Sequence, residues 1–404
     1  MDAAERPATG VVLLDRNEPC AGATGAGQGY LWLAHRDPSS PAWQLAMGSK
    51  AMWPQLLAPV VPELTAEAVE WQSIGSVLIA TDAEETEALH RRAALLQRAG
   101  LDARCLPAAD VPQLEPALAL GADGSALLVP SDAQVNGRAA AAALLRACQA
   151  HGARFCALFQ EDAAALDQGP SGRVTAVRSE ARRIAATRGV VVALGAWTGG
   201  FLAAQLPESA AHWEGAFRPR RGLLLEMPRP ADMPQVEHGL MEMGYSKHYS
   251  SSTALSGSSS STSSSSSTTT SESGDPADIT FTATTSASGT LLVGSSREFA
   301  WCDGAAPEAV VEAIMQRAAV FLPGLGAVQR SDISVRAGPR PYATAGAPMV
   351  GPVPGAAGVV VAAGHEGSGL TLAPATAELV CDYLLGRQPA LEAAAVDMLR
   401  VPFC

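Results

Sequence analysis

Lysine is nearly missing from this sequence. Lys50 and Lys247 are the only lysines among 28 basic residues, and the rest are arginines. Forty acidic residues outweigh them and leave a net charge of -12. Such a chain repels phosphate backbones and anionic surfaces, so nucleic acid and membrane are not expected as general partners. Arginine instead favours planar, bidentate contacts with carboxylates. Paired cysteines are also lacking. Cys20, Cys105, Cys148, Cys156, Cys302, Cys381 and Cys404 are scattered and odd in number, with no C-x-x-C. The histidines show no H-E-x-x-H. Neither a disulfide framework nor a structural metal is expected, and reduced thiols fit an intracellular setting, cytoplasmic or plastid. Met1–Gly10 has no apolar signal-peptide core. The uncharged run Val190–Leu206 is broken by glycines and falls short of the ~20 residues of a membrane span.

What remains is a globular composition, 48% apolar and 17% charged. Its 404 residues suffice for roughly two or three domains. Gly10–Arg16 (GVVLLDR) reads as a buried parallel strand ending in an acid. Pro19–Gly29 is a loop of mostly small residues that exposes its backbone. Helices are expected at Pro41–Leu57, Asp82–Ala99, Arg138–His151, Pro307–Phe321 and about Leu370–Leu385. Ser73–Thr81, Arg173–Val177, Val190–Leu194, Ile333–Arg336 and Gly358–Ala363 read as strands, and Asp278–Ala287 and Thr290–Ser295 as an antiparallel pair. Gly338–Pro354 reads as a loop. Ser250–Ser273 is nearly pure Ser and Thr; a disordered insertion is expected over 250–275.

Four segments are suited to chemistry. Asp15, at a strand end before a small-residue loop, suits a ribose hydroxyl, although strand-terminal acids are also common turn residues. Gly364–Thr371 (GHEGSGLT) joins a strand to a helix whose N-terminus suits a phosphate or an electron-rich ring edge; a plain turn is the alternative. Arg336 and Arg340 flank a Gly-Pro turn and suit a carboxylate, or form a surface pair. Gly195–Gly199 (GAWTG) brings backbone close to a neighbour, with Trp197 as a wall against solvent, or is a packing turn.

Together and in this order, the segments resemble the FAD-dependent oxidoreductases of the D-amino-acid oxidase superfamily, on the glycine oxidase and sarcosine oxidase side, with plant and algal members nearest. The resemblance runs from about Gly10 to Gln388 and is carried by LLDRNEPCAGATGAGQG, the helix entry SDAQVNGRAAAAALLRA, GVVVALGAWTGGFL, PRRG, LLVGSSREF, AGPRPYATAGAPMVGPVPG and VVVAAGHEGSGLTLAPATAEL. It implies an α/β plus α+β fold, in which a doubly wound FAD-binding sheet is interleaved with a mainly antiparallel substrate domain. Residues 1–60, 130–205 and 335–404 would form the first, and 61–129 and 206–334 the second. It further implies non-covalent FAD, because no cysteine sits where sarcosine oxidases attach flavin. The cofactor would be held by Asp15, Ala23, Thr24, Gly25, Ala26, Gly27, Gly195, Ala196, Trp197, Gly364, His365, Gly367, Ser368, Gly369, Leu370 and Thr371. His365 is read as a loop residue rather than a base. Arg340 would grip the carboxylate of a small amine or amino-acid substrate, with Tyr245 or Tyr249 near the place of a helping tyrosine. Hydride transfer from the substrate to flavin N5 is the implied reaction.

One family feature is not found: a strand, G-x-G-x-x-G and helix ahead of the LLDR strand. Residues 1–10 cannot hold that ~30-residue unit, so it is expected to belong upstream of this sequence. The alternative is a flavin-free remnant with a binding role. An NAD-dependent dehydrogenase would share Asp15 but have no use for GHEGSGLT.

Overall fold

The computed structural model describes residues 10–58, 61–150, 152–246, 269–270, 276–389 and 391. Nearly all of the Ser/Thr tract, and Tyr249, lie outside these residues.

Local chemistry sets the helix ends. At Ala83–Arg98 the Asp82 side chain accepts the Glu85 N–H at 2.8 Å, and the Glu85 carboxylate accepts the Thr81 N–H at 3.0 Å. This reciprocal arrangement satisfies donors that the first turn leaves unpaired. Asn136 caps Gly137–Gln149 through the N–H groups of Arg138 and Ala139. Gly369–Leu385 stops at Gly386, which takes the left-handed conformation that glycine adopts at low cost.

A large mixed sheet forms the frame. Its strands run in the spatial order Ser334–Ala343, Phe217–Pro228, Thr290–Arg297, Pro276–Thr285, Gly239–Glu242, Ser76–Ala80, Ser125–Val129, Arg104–Pro107. Every neighbouring pair is antiparallel except Gly239–Glu242 with Ser76–Ala80. Helix Glu308–Phe321 packs on this sheet, with Phe281 and Phe321 stacked at 4.5 Å. A second core gathers helices Trp43–Leu56, Ala83–Arg98 and Gly369–Leu385 around Trp32 and Leu78.

The parallel pairings occur as Val11–Asp15 with Phe155–Phe159, and Val190–Val192 with Val359–Ala363, which also pairs with Met349–Pro352. Among the described residues no strand joins these two groups. Val11–Asp15 pairs in parallel as expected, but it is not buried: Val11 is 60% exposed. Among the described residues it pairs with one strand only, and its apolar side chains stay in contact with solvent.

The second difference concerns Gly338–Pro354, read as a loop. Ser334–Ala343 is one continuous strand, and Met349–Pro352 is another. Pro339 and Pro341 are accommodated because Ser334–Ala343 is the sheet's edge, where a missing N–H need not break a ladder. Arg336 and Arg340 therefore stand on one face of a strand rather than flanking a turn.

Asp132 ties the Trp32–Ala34 segment to the sheet. Its buried carboxylate accepts the N–H groups of Leu33 and Ala34 and the Ser76 hydroxyl, and pairs with Lys50 at 3.2 Å.

Candidate active site

The strand Ser334–Ala343 is the common wall of the site. The short helix Ala23–Ala26 lies against it, and so does the turn Gly195–Trp197. The loop after Val359–Ala363 reaches it through a bridge between Tyr342 and His365. Segments far apart in sequence thus meet on one surface.

Close packing requires glycine at two places. A Cβ on Gly338 would stand 2.6 Å from the Ala26 Cβ, so only glycine lets the helix sit against the strand. A Cβ on Gly222, opposite Gly338 on Phe217–Pro228, would stand 2.3 Å from the Arg340 guanidinium. Arg340 therefore lies flat across its neighbouring strand. Its Nη1 donates to the Ser296 carbonyl at 3.0 Å, and no carboxylate pairs with it among the described residues. Arg336, by contrast, is committed to Glu226.

Segments read from the sequence as cofactor loops converge at the start of helix Gly137–Gln149. Arg138 Nε donates to the Gly25 carbonyl at 3.0 Å, and Thr24 and Leu370 both close on Gly137. The Thr371 hydroxyl donates to the Tyr30 carbonyl at 2.8 Å, and Trp53 Nε1 donates to the Leu370 carbonyl at 3.1 Å. Cys20 lies at the same junction; burial raises its thiol pKa, and Arg138 and Asp15 act on it in opposite directions. A cavity of about 410 Å³ opens here, lined by Glu18, Cys20, Ala26, Arg138 and Arg336 among others. Asp15 is exposed, and its carboxylate accepts the Asn17 N–H at 2.9 Å. The adjacent Arg16 lies over the Trp197 ring at 4.3 Å, and Trp197 packs on Trp301.

Tyr245 packs between an arginine and a histidine. It is buried under the Arg297 guanidinium, 3.8 Å from its ring centre, with His35 at its edge. Tyr30 is the phenol that shares the electrostatic surroundings of Arg340 and Tyr245. Burial pushes its pKa well above the ordinary value; its buried hydroxyl has no hydrogen-bond partner among the described residues, and the neighbouring Thr282 hydroxyl donates to Gln28 Oε1 at 2.9 Å instead. Neither Tyr30 nor Gln28 was singled out in the sequence, although Gln28 lies within the small-residue loop and Tyr30 directly follows it.

His365 Nε2 lies 3.0 Å from the Thr376 hydroxyl. Burial lowers its pKa to about 4, so the ring is neutral at pH 7 and is no proton acceptor near neutrality. The unfolded chain binds this proton below about pH 6.5, before the folded chain does. The stability it contributes is therefore complete above that value and is lost as pH falls from there toward 4. Urea unfolding at pH 7 and pH 5 is expected to differ by about 1–2 kcal/mol more in the native chain than in His365→Gln. Equal differences would contradict a buried neutral ring.

Two observations test whether a flavin cofactor fits. Helix Gly369–Leu385 begins without a side-chain cap at Ser368, which leaves first-turn N–H groups to an outside acceptor. The Thr198 hydroxyl beside Gly195–Trp197 is fully buried, with no hydrogen-bond partner among the described residues. Both suit a polar cofactor lying between these turns.

A strand-edge arginine over glycine, a histidine loop bridged to the same strand and an uncapped helix start after it make up the candidate site. The chain matches the family described as FAD dependent oxidoreductase over residues 1–383, and it belongs to that family. Glycine oxidase of Geobacillus kaustophilus is 26% identical over 96% of this chain and 90% of its own. The crystal structure of glycine oxidase from Geobacillus kaustophilus superposes with a TM-score of 0.76 at 23% identity, over 97% of this chain and 92% of that one. Glycine oxidase of Pseudomonas aeruginosa is 37% identical over 106 residues, which is 26% of this chain and 29% of that protein. The family's cofactor is FAD, bound non-covalently. No described helix is long and apolar enough to cross a membrane.

Proposed function

We propose that this protein oxidises a small amino acid or carboxylate-bearing amine, using FAD and passing the electrons to oxygen. The observation that carries this reading is Arg340. It is a half-buried guanidinium with one backbone hydrogen bond and no carboxylate partner among the described residues, on the wall that the loop turns share. Such a group suits a substrate carboxylate. The two glycine oxidases among its relatives are consistent with a small amino acid.

On this reading Ala23–Gly27, Gly195–Trp197 and Gly364–Thr371 hold the flavin, and Asp15 faces its ribose. The helix Gly369–Leu385 directs its positive end at developing negative charge. When bound, FAD supplies the hydride acceptor. Arg340 fixes the substrate carboxylate and so orients the carbon–hydrogen bond. Residues 1–60, 130–205 and 335–404 serve the cofactor, and 61–129 and 206–334 the substrate, with Ser334–Ala343 as the shared wall.

Gly338→Val tests the loop placement. Forcing a branched side chain against Ala26 costs about 1–3 kcal/mol and is expected to weaken FAD retention about tenfold, read by flavin fluorescence during dialysis. Unchanged retention would remove Ala23–Gly27 from the cofactor site. The reading as a whole is tested by hydrogen peroxide release across a panel of amino acids and matched amines. Turnover of carboxylate-bearing amines alone supports it; turnover independent of the carboxylate contradicts it.

A further inference from the structure

Arg340 is not the only guanidinium on its face. Arg220 on Phe217–Pro228 is its direct cross-strand partner, so both side chains leave the sheet on the same side. Their environments differ. Arg220 lies 3.5 Å from the Glu366 carboxylate, with both side chains only 12–13% exposed. The Phe299 and Tyr342 rings stand 5.3 and 5.6 Å from the Arg220 guanidinium and pack against each other edge to face. Glu366 sits between His365 and Gly367 in the glycine loop, at φ +47. A non-glycine residue in that region costs free energy and persists only where its surroundings hold it there. Here the Gly367 N–H donates to its second carboxylate oxygen at 2.7 Å, and the first faces Arg220.

We propose that Glu366 sets how many carboxylates the substrate carries. By neutralising Arg220 it leaves Arg340 as the charge that recognises substrate, and it restricts the site to monocarboxylates. A dicarboxylate would bring its second charge to Arg220 and meet Glu366 there. Repulsion between like charges at contact distance in a partly buried site outweighs a screened surface interaction. This inference rests on the reading of Arg340 as the carboxylate clamp, and it adds the residue that limits what the clamp accepts.

Calorimetric titration of the full chain, supplied with FAD, with acetate and with malonate separates the two. Both ions are inert, so turnover does not enter. The native chain is expected to bind malonate no more tightly than acetate. Glu366→Gln is expected to raise the malonate-to-acetate affinity ratio about tenfold or more. Glu366→Asp, which keeps the charge, should leave the ratio near native. The double variant Glu366→Gln with Arg220→Gln should lose the gain, which a merely loosened loop would not. If Glu366→Gln is folded and its ratio is native while Arg340→Gln abolishes acetate binding, the clamp stands and the role of Glu366 is overturned. If Arg340→Gln leaves acetate binding intact, the clamp itself fails and this inference falls with it.

Discussion

Arg340→Gln is expected to lower kcat/KM for a carboxylate-bearing amine by about 10²–10³-fold, with most of the loss in KM. The guanidinium lies across Gly222 and spends one donor on the Ser296 carbonyl, so its outer donors remain for substrate. Truncating one member of a desolvated charge pair costs about 2–5 kcal/mol, which spans this range. Arg340→Lys should recover little, because an ammonium cannot reproduce the planar fork. An amine of similar size without a carboxylate should be affected by less than about tenfold, since it never used the contact. Steady-state kinetics on a matched pair of substrates reads the difference. Equal losses on both would mean that Arg340 supports the sheet rather than the substrate.

Asp132→Ala is expected to be the most destabilising single substitution, by about 3–5 kcal/mol in urea unfolding. Its carboxylate is fully buried and serves two backbone N–H groups, one hydroxyl and the Lys50 ammonium. Alanine would orphan the two N–H groups and the hydroxyl at once and leave Lys50 only its bond to Ser131, and unsatisfied buried donors cost more than a hydrogen bond contributes when made. Asp132→Asn keeps an acceptor but adds donors facing donors, so a substantial part of the loss should persist. The effect should reach the site. Leu33 and Ala34 continue the segment that begins at Tyr30, whose carbonyl receives the Thr371 hydroxyl. Weaker FAD retention should therefore accompany the lower stability. A loss under about 1 kcal/mol would show that water replaces the carboxylate.

The contrast between these two residues shows what the sequence made legible. Arg340 stood out because it borders a Gly-Pro pair, a local signal, within a segment that carries the family resemblance. Asp132 sits in an ordinary-looking turn, SDAQVNG, and its importance comes from Leu33 and Ser76, distant in sequence. The strand-loop-helix passage Val359–Leu385 was readable from an apolar run, three glycines and helical periodicity, all local features. Gly338–Pro341 was not. Glycine and proline side by side signal a turn, and only the tertiary fact of an edge position permits a strand there. Likewise Val11–Leu13 read as buried because apolar β-branched runs usually are, whereas burial depends on what covers a strand. Glu366 and Tyr30 acquire meaning only through Arg220 and Arg340, which are far away in the chain. No periodicity or spacing reports such pairings.

The most direct test of the central claim is the visible absorption spectrum of the purified 404-residue chain after incubation with FAD and removal of the excess. The account predicts a retained flavin band that bleaches under anaerobic addition of a small amino acid and returns on admitting air. A colourless chain, or a retained band that no amino acid bleaches, would contradict it.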